Sequence, residues 1–91
     1  MVIHNSIQIE VTQILSFDLE DEEFLIRKLK LLMFISDIKH ISQSYYLMED
    51  QKTFKRSSKI TLKDGYELDV IDKYEDLKSM HIEWISKLLG N

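Results

Sequence analysis

The sequence predicts a small α+β domain, in which a twisted antiparallel sheet of about four or five strands carries one C-terminal helix on one face. Three observations predict this fold. Apolar and polar residues alternate from Ile7 to Thr12, a hairpin pattern covers Lys59–Ile71, and apolar residues recur at steps of three and four after Asp72. A chain of 91 residues can bury one modest core, so residues 1–91 are expected to form a single domain.

The composition of the chain argues against several classes of protein. The chain is 44% hydrophobic and 31% charged, which is typical of a globular protein. It has no cysteine, so neither a disulfide framework nor a thiolate metal site is expected, and a reducing cytoplasm is the expected setting. The longest apolar run, Leu31–Ile35, is too short to cross a bilayer, which argues against a membrane protein. The net charge of -4 disfavours nonspecific binding to nucleic acid.

The first element is predicted as a strand, because Ile7 to Thr12 alternate with a period of two. Ile14 and Leu15 then break the phase of that alternation, and a bulge or bend near Gln13 is expected. An acidic, solvated connection is expected to follow over Asp18–Glu23.

The segment Phe24–Ile41 fits both helical and strand periodicity. Strong helix formers favour a helix over residues 24–31, while alternating lysines and leucines favour a strand. The short apolar pieces Met33–Ile35 and Ile38–Ile41 are more typical of strand, turn and strand. We therefore expect a strand after Leu29 and leave residues 24–31 open between helix and strand.

A hairpin is predicted over Lys59–Ile71. A two-residue loop would set apolar residues opposite carboxylates, whereas a three-residue loop ending at Gly65 keeps one face apolar. The expected pairs are Leu62 with Tyr66 and Ile60 with Leu68. Gly65 is then expected to adopt a positive φ angle.

The last element is predicted as a helix over Asp72–Leu89, with Asp72 and Glu75 as an N-terminal capping pair. Gly90 is expected to form a left-handed C-terminal cap. Its apolar stripe is expected to cover the apolar face of the sheet and to bury most of Trp84. The stripe comprises Tyr74, Leu77, His81, Trp84, Ile85 and Leu88.

No catalytic or metal-binding constellation is found. The histidines His4, His40 and His81 do not have the spacing of a helical metal site, so His81 is expected to be a packing residue and His40 a surface strand residue. The acidic run Asp18–Glu23 lacks the spacing and the central glycine of a calcium loop. Neither enzymatic activity nor a cofactor is expected.

A basic cluster is expected in a polar loop over Gln51–Lys59, shortly after two tyrosines. Cations that hold phosphates and aromatic rings that stack on bases are the combination found in nucleic-acid binders. In an acidic chain a short basic segment is more often a solvated loop. The candidate binding residues are Tyr45, Tyr46, Lys52, Phe54, Lys55, Arg56 and Lys59.

The stretch from Met33 to Ile82 contains "MFISDIKHIS" and, after a polar insertion, "KITLKDGYELDVIDKYEDL". It resembles the FlbD family of small flagellar regulatory proteins, in which an isoleucine-rich strand precedes a "TL-x-DG-x-x-x-x-V" hairpin and a short helix. The hairpin is also similar to the first half of LytTR DNA-binding domains. The resemblance implies a small α+β fold and a regulatory role, and it transfers no functional residue.

These patterns favour a small non-enzymatic regulatory or inhibitory protein of bacterial or phage type that acts through a protein–protein interface. One helix covers only one face of a sheet and a core this small is marginal, so a protein partner or a homodimer is expected. The alternative is a nucleic-acid-binding regulator that uses residues 52–59. The sequence leaves the partner, the pathway and the oligomeric state open.

Overall fold

A computed structural model describes residues 7–18 and 24–90 of the chain. It contains an antiparallel five-stranded sheet and a C-terminal helix, which confirms the α+β fold. The elements are β1 (Gln8–Asp18), β2 (Phe24–Phe34), a 3₁₀ turn (Ile35–Asp37), β3 (Ile38–Leu47), β4 (Phe54–Leu62), β5 (Glu67–Val70) and α1 (Tyr74–Leu89). No helix in the described ranges is long and apolar enough to cross a membrane.

The strands lie in the order β2-β1-β5-β4-β3, so the first strand pairs with the last at the centre of the sheet. Gln13, Val70 and Ser58 lie side by side across this centre. The β1–β2 and β3–β4 hairpins flank β5, which has only four residues. Both hairpins are longer than β5, and each therefore extends beyond it as a two-stranded arm. The edges of the sheet are β2 and β3.

The 3₁₀ turn forces the sheet to coil. In a flat sheet, Phe34 and Ile38 would be roughly 30 Å apart along the strands, because Phe34 pairs with Gln8 and Ile38 pairs at the opposite end with Leu62. The turn between them can reach at most about 14 Å. Two backbone hydrogen bonds hold the turn, from Ile35 N to Ile7 O just before β1 (3.0 Å) and from Lys63 N just after β4 to Asp37 O (2.9 Å).

One face of the coiled sheet, here called the first face, forms the main core. It presents the alternating residues that share a side with Val70 and Ser58, and α1 packs against it through Leu77 and Trp84. Trp84 is 7% exposed, which confirms its predicted burial. The core cluster comprises Ile9, Val11, Ile35, Ile38, Ile60, Leu68, Val70, Leu77 and Trp84.

The opposite, second face is buried at a different place. Ile14 is 6% exposed and Ser57 is 5% exposed, although both lie one residue out of phase with the first face and Ile14 is not part of the main core. Of the bulge or bend predicted near Gln13, the bulge is wrong, since the β1–β2 ladder continues without a register shift from Gln8 to Asp18. The phase break in the sequence instead marks the point where the buried side of β1 changes.

The ambiguous segment forms strand, turn and strand, as the apolar pieces predicted. The alternative of a helix over residues 24–31 is wrong, because β2 pairs along its whole length with β1. The polar loop predicted over Gln51–Lys59 is also wrong. Only residues 48–53 form the connection, and β4 begins at Phe54. Of the predicted acidic connection, residues 19–23 lie outside the described residues.

The predicted hairpin loop is confirmed. Ile60 pairs with Leu68, Leu62 N donates to Tyr66 O at 2.8 Å, and Gly65 has a φ angle of 93°. The Asp64 carboxylate accepts a hydrogen bond from Tyr66 N at 2.9 Å. This turn therefore depends on a left-handed residue at position 65.

Gly65→Val is expected to lower the free energy of unfolding by about 1 to 2 kcal/mol, because a β-branched residue is disfavoured at positive φ. A Cβ atom at position 65 would meet no heavy atom within 4 Å, so the whole cost is conformational. Gly65→Asn is the matched control and should retain most of the stability. Urea denaturation measures both, and equal stabilities for the two variants would contradict the assignment.

The ends of α1 differ from the prediction. The helix begins at Tyr74 after Lys73, whose side chain makes no capping hydrogen bond, so the predicted Asp72–Glu75 capping pair is wrong. Asp72 instead accepts a hydrogen bond from Thr12 N through Oδ1 at 2.8 Å, and its carbonyl accepts one from Ser58 Oγ at 2.6 Å. Gly90 has φ -83°, not a left-handed angle. Ile85 of the predicted stripe is 37% exposed.

Candidate interaction site

The β3–β4 hairpin carries all of the predicted binding residues. Its strand pairing sets Tyr45 opposite Arg56 and Tyr46 opposite Lys55. Paired residues share a face and neighbours along a strand alternate, so the candidates divide between the two faces of this arm. Tyr45, Phe54 and Arg56 are on the first face, Tyr46, Lys55 and Lys59 are on the second, and Lys52 is in the turn. The structure therefore does not bring the seven residues together.

The first-face group is the more open of the two. Tyr45 is 61% exposed and Phe54 is 65% exposed, and Arg56 beside them is also exposed. On the second face, Lys59 lies 4.0 Å from Glu67 in an exposed ion pair. The first face of the arm thus presents two aromatic rings and one guanidinium group to solvent.

The turn at the tip of this arm is held by Asp50. Its carboxylate accepts hydrogen bonds from Thr53 Oγ1 at 2.6 Å and from the backbone N–H groups of Lys52 and Thr53, each at 2.9 Å. These bonds, the Thr53 hydroxyl first among them, hold the pKa of Asp50 below its ordinary value. Gln51 has a positive φ of 59°. The tip is therefore an ordered turn.

A cleft of about 410 Å³ lies between this arm and the start of α1. Tyr45 and Arg56 line it together with the chain from Ile71 to Glu75. Two basic residues, Arg56 and Lys73, and two acidic residues, Asp72 and Glu75, line the cleft, so its lining has no net charge to select an ion. Ser57 also lines it, and its buried Oγ has no hydrogen-bond partner among the described residues.

A second cleft, of about 380 Å³, lies between the two arms. Residues 26–28 of β2 line one wall, and Tyr46, Met48 and Glu49 line the other. Ile26, Lys28 and Tyr46 share the second face with buried Ile14. The arms therefore approach each other on the side of the sheet that α1 leaves uncovered.

Sequence reasoning missed a basic group on the edge strand β2. Arg27, Lys28 and Lys30 are exposed in the middle of this strand, between apolar residues at both ends. The signal was present as the pattern "IRKLKLL", but its meaning depended on β2 being an edge strand. Leu29 and Leu32 on this strand are 51% and 62% exposed.

His81 joins α1 to the beginning of β3. Its ring stacks on Trp84, with centroids 6.2 Å apart, and it donates a hydrogen bond to the Ile38 carbonyl. Burial lowers the pKa of His81, Lys63 lowers it further, and the bond to Ile38 opposes both effects. The expectation of a packing role is confirmed, and His40 lies exposed on β3 as predicted.

The folded protein is expected to lose stability as pH falls below the unfolded histidine pKa of about 6.5. A lowered folded-state pKa means that the unfolded chain binds the proton first, so stability is fully present above that pH and declines toward the folded-state pKa. Chemical denaturation at pH values from 7.5 to 5.5 measures the change. His81→Gln is the control and should show a weaker dependence, whereas identical slopes would contradict a neutral buried His81.

Within the described ranges, no group of three or more histidine or carboxylate side chains could hold a metal ion. Comparisons with protein-family models, curated proteins and solved structures found no match.

Proposed function

We propose that this chain is a small non-enzymatic regulatory or inhibitory protein of bacterial or phage type that works in the cytoplasm through a protein–protein interface. The interface is the free edge of β2. The resemblance of residues 33–82 to flagellar regulatory proteins supports a regulatory role.

The observation that carries this proposal is the exposed edge of β2. Among the described residues, β2 pairs only with β1, so one side of an 11-residue strand presents unpaired backbone groups. Leu29, Leu32 and Phe34 are 51%, 62% and 40% exposed along it. A long edge with exposed apolar side chains is a template for another chain, and monomeric proteins usually keep such edges short or covered. A partner strand would satisfy the backbone and bury these side chains.

Site-specific photo-crosslinking tests the proposal. A photoreactive amino acid at Leu32 is expected to give discrete protein adducts, either with a second copy in the purified protein or with another protein in a bacterial lysate. The same group at Ser79, an exposed position on α1, is the matched control and should give none of these adducts. The proposal fails if Leu32 gives no adduct in either sample, or gives the same adducts as Ser79.

A nucleic-acid-binding regulator is the second candidate, and the first-face group of the β3–β4 arm favours it. Tyr45 and Phe54 are open enough to stack on bases, and Arg56 lies directly opposite Tyr45. Single-stranded nucleic acid is the form such a surface would bind, since stacking needs unpaired bases.

Tight nucleic-acid binding is nevertheless not expected at physiological salt, because the net charge is -4 and the exposed group offers one guanidinium. Titration with mixed-sequence single- and double-stranded oligonucleotides at low and physiological salt measures this. Arg56→Ala removes the cation beside Tyr45 on the first face of the arm. Lys55→Ala is the control, because it removes the neighbouring cation on the second face. Micromolar or tighter binding at physiological salt that Arg56→Ala abolishes and Lys55→Ala preserves would establish the second candidate instead.

A further inference from the structure

The free edge of β2 combines apolar side chains with a central group of cations. On the second face, Lys28 and Lys30 are followed by Leu32 and Phe34, and Arg27 directly precedes Lys28 on the first face. In the described part of the chain, this group forms an ion pair in which Lys30 Nζ lies 3.9 Å from Glu10 Oε1. Both side chains of the pair are largely exposed. Such a pair contributes little and leaves the lysine open to another anion.

A second copy of this chain fits the edge poorly. A two-fold axis perpendicular to the sheet would pair two copies of β2 as antiparallel strands. Residues of the same face would then lie opposite one another. The registers that pair nine or more residues are centred on Lys28, Leu29 or Lys30. Each of them sets a lysine directly opposite a lysine, and like charges in that position are destabilising.

We propose that β2 binds an extended acidic segment of another protein, which adds to the sheet as a sixth strand. This inference rests on the proposed function and names the chemistry of the partner. Main-chain hydrogen bonds would supply affinity and alternate side chains would supply specificity. An antiparallel strand would place two apolar residues opposite Phe34 and Leu32, and then two acidic residues opposite Lys30 and Lys28. The partner motif therefore reads apolar-x-apolar-x-acidic-x-acidic.

The capped peptide Val-Thr-Val-Thr-Glu-Thr-Glu is a direct probe of this motif. It is expected to bind the full chain and to slow amide hydrogen exchange in β2, while a scrambled peptide of the same composition binds at least about tenfold more weakly. Two N-methylated versions of the peptide test strand addition. One carries its methyl groups on the odd-numbered backbone amides and the other on the even-numbered ones, so each version lacks one of the two sets of donors for main-chain hydrogen bonds. At least one of the two N-methylated peptides should lose binding, and equal affinity for the unmethylated peptide and both methylated ones would overturn the proposal.

Charge reversal tests the same site from the protein side. The double variant Lys28→Glu with Lys30→Glu is expected to weaken binding of the acidic peptide by roughly tenfold and to gain binding of Val-Thr-Val-Thr-Lys-Thr-Lys. The matched control, Lys39→Glu with Lys52→Glu, makes the same change in net charge at exposed positions outside β2 and should keep wild-type affinity. Equal losses in both double variants would overturn the proposal, because they would show attraction by net charge alone. The tryptophan spectrum verifies that each variant is folded.

Two further outcomes separate this inference from the proposed function. If the peptides do not bind but Leu32 still crosslinks, the acidic-strand inference fails and the protein-interface function stands. If light scattering shows a dimer whose β2 amides become protected with protein concentration, a second copy is the occupant and the inference is overturned. If the peptides do not bind and the photoreactive group at Leu32 gives no adduct, both proposals fail.

Discussion

Trp84→Ala is expected to lower the free energy of unfolding by about 3 to 5 kcal/mol, the range for deleting a large aromatic side chain from a core. Trp84 is 7% exposed and joins α1 to the main core cluster, and His81 stacks on its ring. A domain of this size has a total stability of only about 5 to 15 kcal/mol, so the variant should be close to unfolding. Urea denaturation followed by circular dichroism measures the loss.

Ile82→Ala is the matched control, because Ile82 lies on the same helix and is 51% exposed. Its cost should be a small fraction of the Trp84 value. The intrinsic fluorescence of the wild-type protein gives an independent reading. An emission maximum typical of fully hydrated tryptophan would contradict the burial of Trp84.

Asp72→Ala is expected to cost about 1 to 3 kcal/mol, because it leaves the Thr12 amide without its acceptor in a partly buried place. Asp72 lies between β5 and α1, where its side chain accepts from Thr12 and its carbonyl accepts from Ser58. The residue thereby fastens β1 and β4 to the segment that leads into the helix.

Asp72→Asn is the control for the Asp72 prediction, since its amide oxygen can still accept from Thr12 N and should preserve much of the stability. Glu75→Ala is a second control, and it would be the more costly change if the two acids formed a helix cap. A larger loss for Glu75→Ala than for Asp72→Ala would contradict the hydrogen bonds seen here.

Much of the fold follows from local patterns in the sequence. The register around Gly65 was predictable because only one loop length kept the apolar face of the hairpin continuous. The break of phase at Gln13 was visible but was interpreted as a bulge or bend, because local alternation shows that the buried side changes without showing why. Here the buried side of β1 changes along a ladder that has no register shift, so the change arises from how the sheet packs and not from how its strands pair.

The candidate site was less predictable. The residue types on the β3–β4 arm were identified, but the separation of Tyr45 from Tyr46 and of Lys55 from Arg56 depends on strand pairing, which a predicted loop does not have. The basic group of β2 carried no evident meaning in the sequence, since its exposure follows from the position of β2 at the edge. Strand order arises from long-range contacts that local periodicity does not report.

The pairing of the first strand with the last has a consequence for how the chain folds. Gln13 must meet Val70, so the centre of the sheet closes only after the chain has been made as far as Val70, whereas β3, β4 and β5 can form a meander from neighbouring segments. Until that closure, the apolar hairpin of β1 and β2 has no core to join and is open to aggregation. Arg27, Lys28 and Lys30 interrupt its most apolar strand. Charges placed there deter unwanted pairing during this interval, so the residues that we propose select a partner in the folded protein would also protect the nascent chain.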